Sequence, residues 1–456
     1  MKVSMKSLIN KKILVIGSGL SGISAVKLLH NIGAFPVLYD DDANKSMRAI
    51  KDKLPQELNL PIFFGTLPPD EILNQITIAV VSPGVNLKTP AIQNLIAAGV
   101  SIIGEIELAY LCTKGRIIAI TGTNGKTTTV SLVGEIMKAH FPSVYVVGNI
   151  GRPFCEIALE TTDDSIIVLE ASSFQLETIK IFTPYISVLL NVTPDHLDRH
   201  GTMTAYAAIK ERITENQTKT DLCILNFDNH HTANFAARCP AQTLYFSASR
   251  ELNNGCYLKD DRIYYSENGI KEPFIHINET KLVGICNMEN IMAAILISLK
   301  MKIPYATIRT AIKTFRAVEH RIEYIATQAG IDYYNDSKAT NPDAAIQAIK
   351  AMAKPTILLA GGSDKKNDYT PWLRECRPKL KALVLIGETK HDIAASAAKL
   401  DIPHIYKADT LEAALAQCQA LAAPGDAILL SPACASLDMF ENYEARGTAF
   451  KKLVMK

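Results

Sequence analysis

Short apolar runs that end abruptly in small or polar residues constrain the fold of this chain more than any other feature. RIIAIT stops at GTNGKTTT, TILLA stops at GGSD, and AILL stops at SPACAS. Strands of this kind are buried on both faces, as in the parallel sheets of α/β proteins. Ligands of such sheets bind beyond the carboxyl ends of the strands. The sequence therefore predicts an α/β fold whose functional residues lie in the loops that follow these runs.

The runs fall into three groups, which we interpret as three domains, each an α/β sandwich. We place a Rossmann-like domain at residues 1–104, a central P-loop domain that binds a mononucleotide at 105–317, and a second Rossmann-like domain at 318–456. Between about 244 and 285 the pattern changes to short strands with turns, which predicts a small antiparallel insertion. A chain of 456 residues is long enough for this number of domains.

The composition excludes several classes of protein. A formal net charge of +2 gives no reason to expect a nucleic-acid partner. No apolar run reaches the ~18 residues of a transmembrane helix, and the first residues do not form a signal peptide. The nine cysteines include no C-x-x-C pair and indicate reduced thiols. We expect a cytoplasmic protein that binds no nucleic acid and does not insert into a membrane.

The segment GTNGKTT resembles a phosphate-binding loop but departs from the common pattern. In G-x-x-x-x-G-K-[ST] the first glycine would stand at position 120, where this chain has Ile120, and the glycine comes later, at Gly122. An apolar strand precedes the loop and a helix follows it, which is the context that phosphate binding requires. Lys126 can reach the β- and γ-phosphates and Thr127 can bind Mg²⁺. The alternative, an ordinary glycine turn, explains this context less well.

Polar residues also follow two neighbouring apolar runs. Glu170 ends SIIVLE, and Asp195 with His196 follows YISVLLNV. The carboxyl ends of parallel strands share one edge of a sheet, so these residues should lie near Lys126. A carboxylate and an imidazole at that edge suit Mg²⁺ held jointly with phosphates.

Lys210 lies on a helical face that is otherwise apolar. Met203, Tyr206, Ala207 and Ile213 share that face with it. One interpretation is a lysine whose ammonium group extends to water along apolar surface. The other is a buried lysine with a depressed pKa, because burial disfavours the charged form. A neutral amine can add CO₂ and become a carbamate, which is an anionic metal ligand.

The N-terminal sequence GSGLSG matches the G-x-G-x-x-G pattern after a strand. Asp40 follows Gly17 by about the spacing of the ribose-binding acid in dinucleotide folds. The pattern indicates a ligand with a pyrophosphate and does not specify NAD. A tight turn that packs a helix on a strand would give the same glycines.

Seven motifs carry a resemblance to a known family, the Mur ligases. They occur in the order GTNGKTT, LEASSFQLE, NVTPDHLDRH, GICNMENIMAA, EHRIE, NDSKATN and SPACASLDMFENYEARG. The resemblance spans all three proposed domains. Within the family, the chain resembles the members that add D-glutamate to UDP-N-acetylmuramoyl-L-alanine. The resemblance implies an ATP-dependent amide ligase of peptidoglycan precursor synthesis that uses two Mg²⁺ ions, these small-molecule substrates and an acyl-phosphate intermediate. We expect a monomer.

The resemblance also implies roles for individual residues. Those for catalysis are Lys126, His196 and Lys210. Those for ATP are Gly122, Thr123, Asn124, Gly125, Lys126, Thr127, Thr128, Asn290, Arg321 and Asp336. Those for the UDP-substrate are Leu20, Ser21, Asp40, Gly84 and Asn149. Those for D-glutamate are Thr340, Lys365, Ser436, Leu437 and Tyr443. Those for metal are Thr127, Glu170, His196 and carbamylated Lys210.

Three alternatives remain open from the sequence. A folylpolyglutamate synthetase shares the short loop but lacks a comparable N-terminal UDP domain. An NAD-dependent oxidoreductase would use the loop at Gly17 and leave Lys126, Glu170 and Lys210 unexplained. A nucleotide-regulated binding protein would not need the candidate catalytic residues that this chain carries.

Overall fold

The structure is a computed structural model that describes residues 4–56, 58–363, 368–402 and 404–456. These residues form three sheets of five, nine and six strands with helices packed against them. The α/β class predicted from the sequence is confirmed. Within the described ranges, no helix combines the length and the apolar composition needed to cross a bilayer.

The N-terminal sheet is entirely parallel. Its strands β1 to β5 are Lys12–Ile16, Phe35–Asp40, Ile62–Phe64, Ile78–Val81 and Ser101–Gly104. The helices α1 to α6 are Met5–Leu8, Leu20–Asn31, Met47–Lys51, Asp70–Leu73, Pro90–Ala97 and Glu105–Cys112. The strand order is β3-β2-β1-β4-β5, so β1 lies at the centre, between β2 and β4. Loops after these three strands therefore meet at one edge of the sheet.

The central sheet carries the predicted phosphate loop. Its strands β6 to β14 are Arg116–Thr121, Val144–Gly148, Ile166–Glu170, Ile186–Leu189, Leu222–Asn226, Gln242–Ser247, Gly255–Lys259, Arg262–Glu267 and Ile270–His276. The helices α7 to α13 are Lys126–Lys138, Ser173–Leu176, Leu197–His200, Met203–Glu211, His230–Phe235, Ile285–Lys300 and Tyr305–Thr314. The strand order is β14-β13-β12-β11-β10-β9-β6-β8-β7, which makes β8 and β9 the neighbours of β6.

The antiparallel segment expected between 244 and 285 is not a separate insertion. β11 and β12 pair in parallel, and β13 and β14 then add an antiparallel hairpin to the same sheet. The sequence predicted the short strands and turns of this segment. It did not predict that these strands extend the central sheet, because strand pairing depends on tertiary contacts.

The C-terminal sheet consists of parallel strands with one antiparallel edge strand. Its strands β15 to β20 are Glu323–Gln328, Ile331–Asn335, Thr356–Gly361, Leu380–Ile386, Ile405–Lys407 and Ala427–Leu430. The helices α14 to α18 are Pro342–Ala351, Thr370–Cys376, Lys390–Ala398, Leu411–Leu421 and Tyr443–Val454. Single 3₁₀ turns occupy Phe154–Glu156, Ala158–Glu160, Arg212–Thr214, Ala236–Arg238, Ile277–Glu279 and Arg377–Lys379. The strand order is β15-β16-β20-β17-β18-β19.

The N-terminal and central sheets share one apolar core. Ile23 and Val26 of α2 and Ile106 of α6 belong to the same buried cluster as Phe154 and Leu169 of the central part. The C-terminal sheet has its own buried clusters. The domain boundaries at residues 104 and 317 remain our prediction, and the first two domains share a buried cluster.

Candidate active site

Three loops meet at one edge of the central sheet. β6 pairs in parallel with both β8 and β9, so the loop after β6, Glu170 at the end of β8, and the residues after β9 lie side by side. The sequence predicted this arrangement from the apolar runs alone. The edge therefore brings Lys126, Glu170 and Asp195 into one site.

The phosphate-loop backbone adopts conformations that suit glycine. Gly125, which precedes α7, has φ of +85°, a left-handed value that other residues rarely adopt. A Cβ atom there would lie 2.3 Å from Oδ1 of Asn290, which crosses over the loop from α12. α7 begins directly after this glycine, and the free N–H groups at the start of a helix can bind an anion.

Lys126 lies at the first position of α7. Its Nζ donates to the carbonyl oxygens of Gly122 and Thr123, each at 2.8 Å. Burial lowers the pKa of Lys126, and the carboxylate of Glu170 opposes that effect. The loop carbonyls thus hold the ammonium group at the loop, where a bound phosphate would supply its counter-charge.

Asn191 holds the loop in shape, and the sequence reasoning did not single it out. Its Oδ1 accepts from the backbone N–H of Asn124 at 2.9 Å, and its Nδ2 donates to the carbonyl of the same residue at 3.2 Å. The backbone N–H of Thr123 also donates to the Asn191 carbonyl at 2.9 Å. Asn191 lies two residues after the end of β9. Polar residues that follow a parallel strand often line a ligand site, so this position could have identified it from the sequence.

The residues around Glu170 fit a divalent cation. Oε1 accepts from Nδ2 of Asn149 at 2.9 Å, whereas Oε2 is buried with no hydrogen-bond partner among the described residues. The hydroxyl Oγ1 of Thr128 is also buried with no hydrogen-bond partner among the described residues. A buried carboxylate oxygen is costly unless it gains a partner, and oxygen ligands are those that Mg²⁺ prefers. Asn149, which we had assigned to the UDP-substrate, therefore contacts the carboxylate of Glu170 directly.

Lys210 is buried, and the alternative of an ammonium group that extends to water is wrong. The residue is 1% exposed, and its Nζ donates to the carbonyl of Gly122 at 2.8 Å. Nζ also lies 4.7 Å from the ring centroid of Tyr206. Burial lowers the pKa of Lys210 well below its usual value, and repulsion from Lys126 lowers it further. Burial therefore disfavours the charged form of this amine.

His196 lies between β9 and α9, directly before the first residue of α9. It has φ of +52°, and its ring packs edge-on against Phe174 with centroids 4.8 Å apart. Its Nε2 lies 3.6 Å from Oδ2 of Asp195, and 41% of the side chain is exposed. An imidazole in this position can reach a ligand in the site.

A cluster behind His196 orients it. His200 stacks on Phe174, and its Nδ1 lies 3.4 Å from Glu177. Arg199 lies over the same phenyl ring and donates to both carboxylate oxygens of Glu177, at 3.2 and 2.6 Å. Arg199 also donates to the carbonyl of Val85 at 3.0 Å, which connects the cluster to the N-terminal sheet. The sequence reasoning missed this contact.

A cavity of about 210 Å³ adjoins the phosphate loop. The predicted ATP-binding residues in its lining are Asn124, Gly125, Thr128, Asn290, Arg321 and Asp336. Asp336 is buried and accepts from the N–H of Ile322 at 3.1 Å and the hydroxyl of Ser431 at 2.8 Å. Burial raises its pKa to about 6. The cavity lies between the central and C-terminal sheets, so it needs both parts of the chain.

Interdomain hydrogen bonds close this cavity, and the sequence reasoning missed the C-terminal residues that make them. Nζ of Lys338 donates to Oγ1 of Thr127 at 3.0 Å, and Nδ2 of Asn341 donates to Oδ2 of Asp195 at 3.0 Å. Oδ2 of Asp343 accepts from Nδ2 of Asn124 at 2.6 Å and from Oγ1 of Thr193 at 2.8 Å. The C-terminal part therefore contacts the loop and the predicted metal site directly.

The residues predicted for the UDP-substrate, apart from Asn149, meet at the edge of the N-terminal sheet. Leu20, 72% exposed, and Ser21 begin α2, while Gly84 lies in the loop after β4. Asp40 at the end of β2 is buried and accepts from the N–H and hydroxyl of Ser18 at 2.7 and 2.6 Å. Nζ of Lys45 also donates to it at 2.7 Å, and these contacts lower its pKa. Asp40 therefore holds the glycine turn in shape, whatever else it binds.

Three of the residues predicted for D-glutamate, Thr340, Ser436 and Leu437, lie in two adjoining loops of the C-terminal part. Arg446, 1% exposed, joins these loops, because it donates to the carbonyls of Ser337 and Cys434 at 2.9 and 3.2 Å. One loop carries Thr340 and the other Ser436 and Leu437, the latter 73% exposed. Tyr443 begins α18, and its ring centroid lies 5.2 Å from Nζ of Lys338. Lys365 lies outside the described residues.

Comparison with known proteins identifies the family. Three family models match: a Mur ligase MurD-like N-terminal domain at residues 11–104, a Mur ligase middle domain at 120–298, and a Mur ligase glutamate ligase domain at 320–434. Among curated relatives, UDP-N-acetylmuramoylalanine--D-glutamate ligases from Lachnoclostridium phytofermentans and Lachnospira eligens are 47% and 46% identical, with 98% of each chain covered.

Solved structures give the same fold. The chain aligns with UDP-N-acetylmuramate-alanine ligase MurC from Thermotoga maritima at a TM-score of 0.58 and 19% identity, covering 98% of this chain and 100% of that one. It also aligns with MurF ligase from the same organism, which was solved in complex with ADP. That alignment has a TM-score of 0.60 and 15% identity, and it covers 99% of this chain and 97% of the MurF chain. With the matched domains and the full-length relatives, these alignments show that the chain belongs to the Mur ligase family, in its MurD-like branch.

Proposed function

We propose that this protein is an ATP-dependent ligase that joins D-glutamate to UDP-N-acetylmuramoyl-L-alanine in peptidoglycan precursor synthesis. The observation that carries the proposal is the 47% identity, over nearly the whole chain, to a relative of that name. The site supports it independently, because a phosphate loop, a buried carboxylate and an interdomain cavity occur together.

The reaction requires activation of a carboxylate. A carboxylate does not accept an amine directly, because an oxide would have to leave. Transfer of the γ-phosphoryl group of ATP to the terminal carboxylate of the UDP-substrate gives an acyl phosphate, and the amine of D-glutamate then displaces inorganic phosphate. The transfer develops charge on the phosphoryl oxygens, which Lys126 and the N-terminal N–H groups of α7 would stabilise.

The metal site would involve Thr127, Glu170, His196 and carbamylated Lys210. Two bound Mg²⁺ ions would neutralise phosphate charge there. Residues of the chain prepare the site: Asn149 orients the Glu170 carboxylate, and the Phe174 cluster fixes His196. Lys210 would act as a carbamate anion, not as an ammonium group.

Each domain would bind one substrate. The edge at Leu20, Ser21, Asp40 and Gly84 would hold the UDP part, and the central loop and cavity would hold ATP. The C-terminal loops with Thr340, Ser436, Leu437 and Tyr443 would hold D-glutamate, together with Lys365. The domains at 1–104, 105–317 and 318–456 would form a monomeric, cytoplasmic enzyme.

Phosphate release from ATP tests the function. We expect release only when ATP, Mg²⁺, UDP-N-acetylmuramoyl-L-alanine and D-glutamate are all present, with one amide product formed per phosphate. Full-rate release without D-glutamate would contradict the proposal. Substitution of a folate for the UDP-substrate, or of NAD for ATP, tests the alternatives in the same assay.

A further inference from the structure

The cavity beside the phosphate loop extends to residues that have no role in the proposed reaction. Asn226, Asp228 and Glu289 line it together with the loop residues Asn124 and Gly125. Asn226 ends β10, two strands away from β6 in the sheet, which corresponds to ~10 Å at the usual strand spacing. If the phosphates of ATP lie at the loop, as the proposed function requires, its base would reach this end of the cavity.

Two of the carboxylates that line the cavity, Asp228 and Asp336, have hydrogen-bond partners on both oxygens, and a third, Asp343, has two partners on one oxygen. Asp228 accepts from the hydroxyl of Ser247 at 2.7 Å and from the N–H groups of Ala248 and Ser249 at 2.6 and 3.1 Å. Asp343 accepts two interdomain hydrogen bonds from Asn124 and Thr193. Asp336 accepts one hydrogen bond on each oxygen. A nucleobase would compete with these partners at Asp228 and Asp336, whereas Asp343 is held against the phosphate loop and Thr193.

Glu289 differs from Asp228 and Asp336, because among the described residues a single side chain holds it and leaves an acceptor free, and it differs from Asp343 in making no interdomain hydrogen bond there. Its Oε1 accepts from Nδ2 of Asn226 at 3.2 Å. The orientation of that amide is fixed, since Oδ1 of Asn226 accepts from the backbone N–H of Asp228 at 2.9 Å and the residue is 2% exposed. Glu289 itself is half-buried and lines the cavity. It therefore presents a positioned carboxylate oxygen to whatever enters.

We propose that Glu289 reads the 6-amino group of adenine and so selects adenine nucleotides over 6-oxopurine nucleotides. The 6-amino group is a hydrogen-bond donor that matches a carboxylate oxygen. The 6-oxo group of hypoxanthine or guanine would place an oxygen against that carboxylate, and like partial charges would repel. A buried polar group left without its partner gives strong discrimination against the wrong ligand.

The preference for adenine over 6-oxopurine nucleotides can be measured by comparing KM values for a series of nucleoside triphosphates. Burial raises the pKa of Glu289 to about 7, so the assay is run at about pH 9, where the carboxyl group is ionised. The KM of the wild-type protein is determined for ATP, ITP and purine riboside triphosphate, which has neither the amino nor the oxo group. Because a hydrogen bond to a charged group is lost, we expect a KM for ITP ~10-fold or more above that for ATP. Purine riboside triphosphate should fall between them.

The variant Glu289→Gln tests the residue itself. Its amide can present either an oxygen or an amino group, so the ratio of the ITP and ATP KM values should fall to within ~3-fold. The matched control is Glu279→Gln, which removes a carboxylate paired with Lys313 at 2.6 Å outside the cavity and should keep the wild-type ratio. A thermal transition for each variant reports that it is folded.

The outcomes separate this inference from the proposed function. An unchanged ITP-to-ATP ratio in folded Glu289→Gln would overturn the inference, and so would a wild-type protein that accepts ATP and ITP equally. Competition between ADP and IDP for binding gives the base preference without turnover. A Glu289-dependent preference for ADP in a protein that forms no amide would leave the inference standing and would reject the proposed ligase activity.

Discussion

Asp343 offers the most direct test of how the C-terminal domain completes the site. It lies in the first turn of α14, and one carboxylate oxygen, Oδ2, accepts both from Asn124 of the phosphate loop and from Thr193. The substitution Asp343→Ala removes both hydrogen bonds, one of which comes from Asn124, a residue that we place on ATP. We therefore expect the arrangement in which the cavity is closed to become less populated.

The size of the effect follows from these two contacts. A hydrogen bond to a charged group contributes ~1.5 kcal/mol at the low end, so two contribute ~3 kcal/mol, or a factor of ~150 in the closed-to-open ratio. The contacts of Lys338 and Asn341 remain, so closure is weakened and not abolished. Since a ligand that needs the closed form binds in proportion to its population, kcat/KM for D-glutamate should fall by up to ~150-fold.

The assay combines small-angle X-ray scattering with steady-state kinetics. Asp343→Ala should have a larger radius of gyration than the wild type in the absence of ligands, and Asp343→Asn, which keeps a neutral acceptor, should lie between them. Asp392→Ala is the matched control, because it removes an exposed acid from the first turn of another C-terminal helix, α16. Unchanged scattering and unchanged kcat/KM in Asp343→Ala would refute the reasoning.

Three further predictions concern the other parts of the site. Lys126→Ala should lose phosphoryl transfer by at least ~100-fold while its thermal transition stays near that of the wild type, and near-normal activity would make the loop structural. Lys210→Arg should be folded and inactive, because guanidinium cannot form a carbamate, and added acetate should partly restore Lys210→Ala; an active Lys210→Arg would exclude the carbamate. Arg199→Lys should raise the KM for the UDP-substrate at least ~5-fold more than the KM for ATP, because Arg199 holds the Val85 carbonyl. The surface variant Arg152→Lys should leave both KM values unchanged, and equal increases in Arg199→Lys would indicate general destabilisation.

Local patterns predicted the parts of the site that depend on local structure. The glycine at position 125 and the helix from Lys126 follow from a strand, a turn and a helix in succession. The burial of Lys210 followed from the 3.6-residue period of its helix, which placed it with Tyr206 on one face. In both cases the residues that decide the outcome are within a few positions of each other.

Contacts between distant segments could not be predicted in this way. Lys338 and Asp343 reach the phosphate loop across more than 200 residues of sequence. Their sequence neighbourhood shows a loop followed by a helix, which is compatible with many docking geometries. The contact of Arg199 with Val85 has the same character. Such contacts depend on how whole domains pack, and no short pattern encodes that.

The charges that converge on the site support a polyanionic ligand and a modified Lys210. Lys126, Lys210 and Lys338 interact electrostatically with Glu170, and burial lowers the pKa of each, to about 8 for Lys338. Repulsion from Lys126 adds to the effect on both other lysines. A triphosphate would supply counter-charge to Lys126 and Lys338, which lie at the loop and at Thr127. Nζ of Lys210 donates to the same Gly122 carbonyl as Nζ of Lys126, and a second ammonium group there would add to the repulsion and oppose a bound cation. The proposed conversion of its amine to a carbamate would exchange a positive for a negative charge and would remove that conflict.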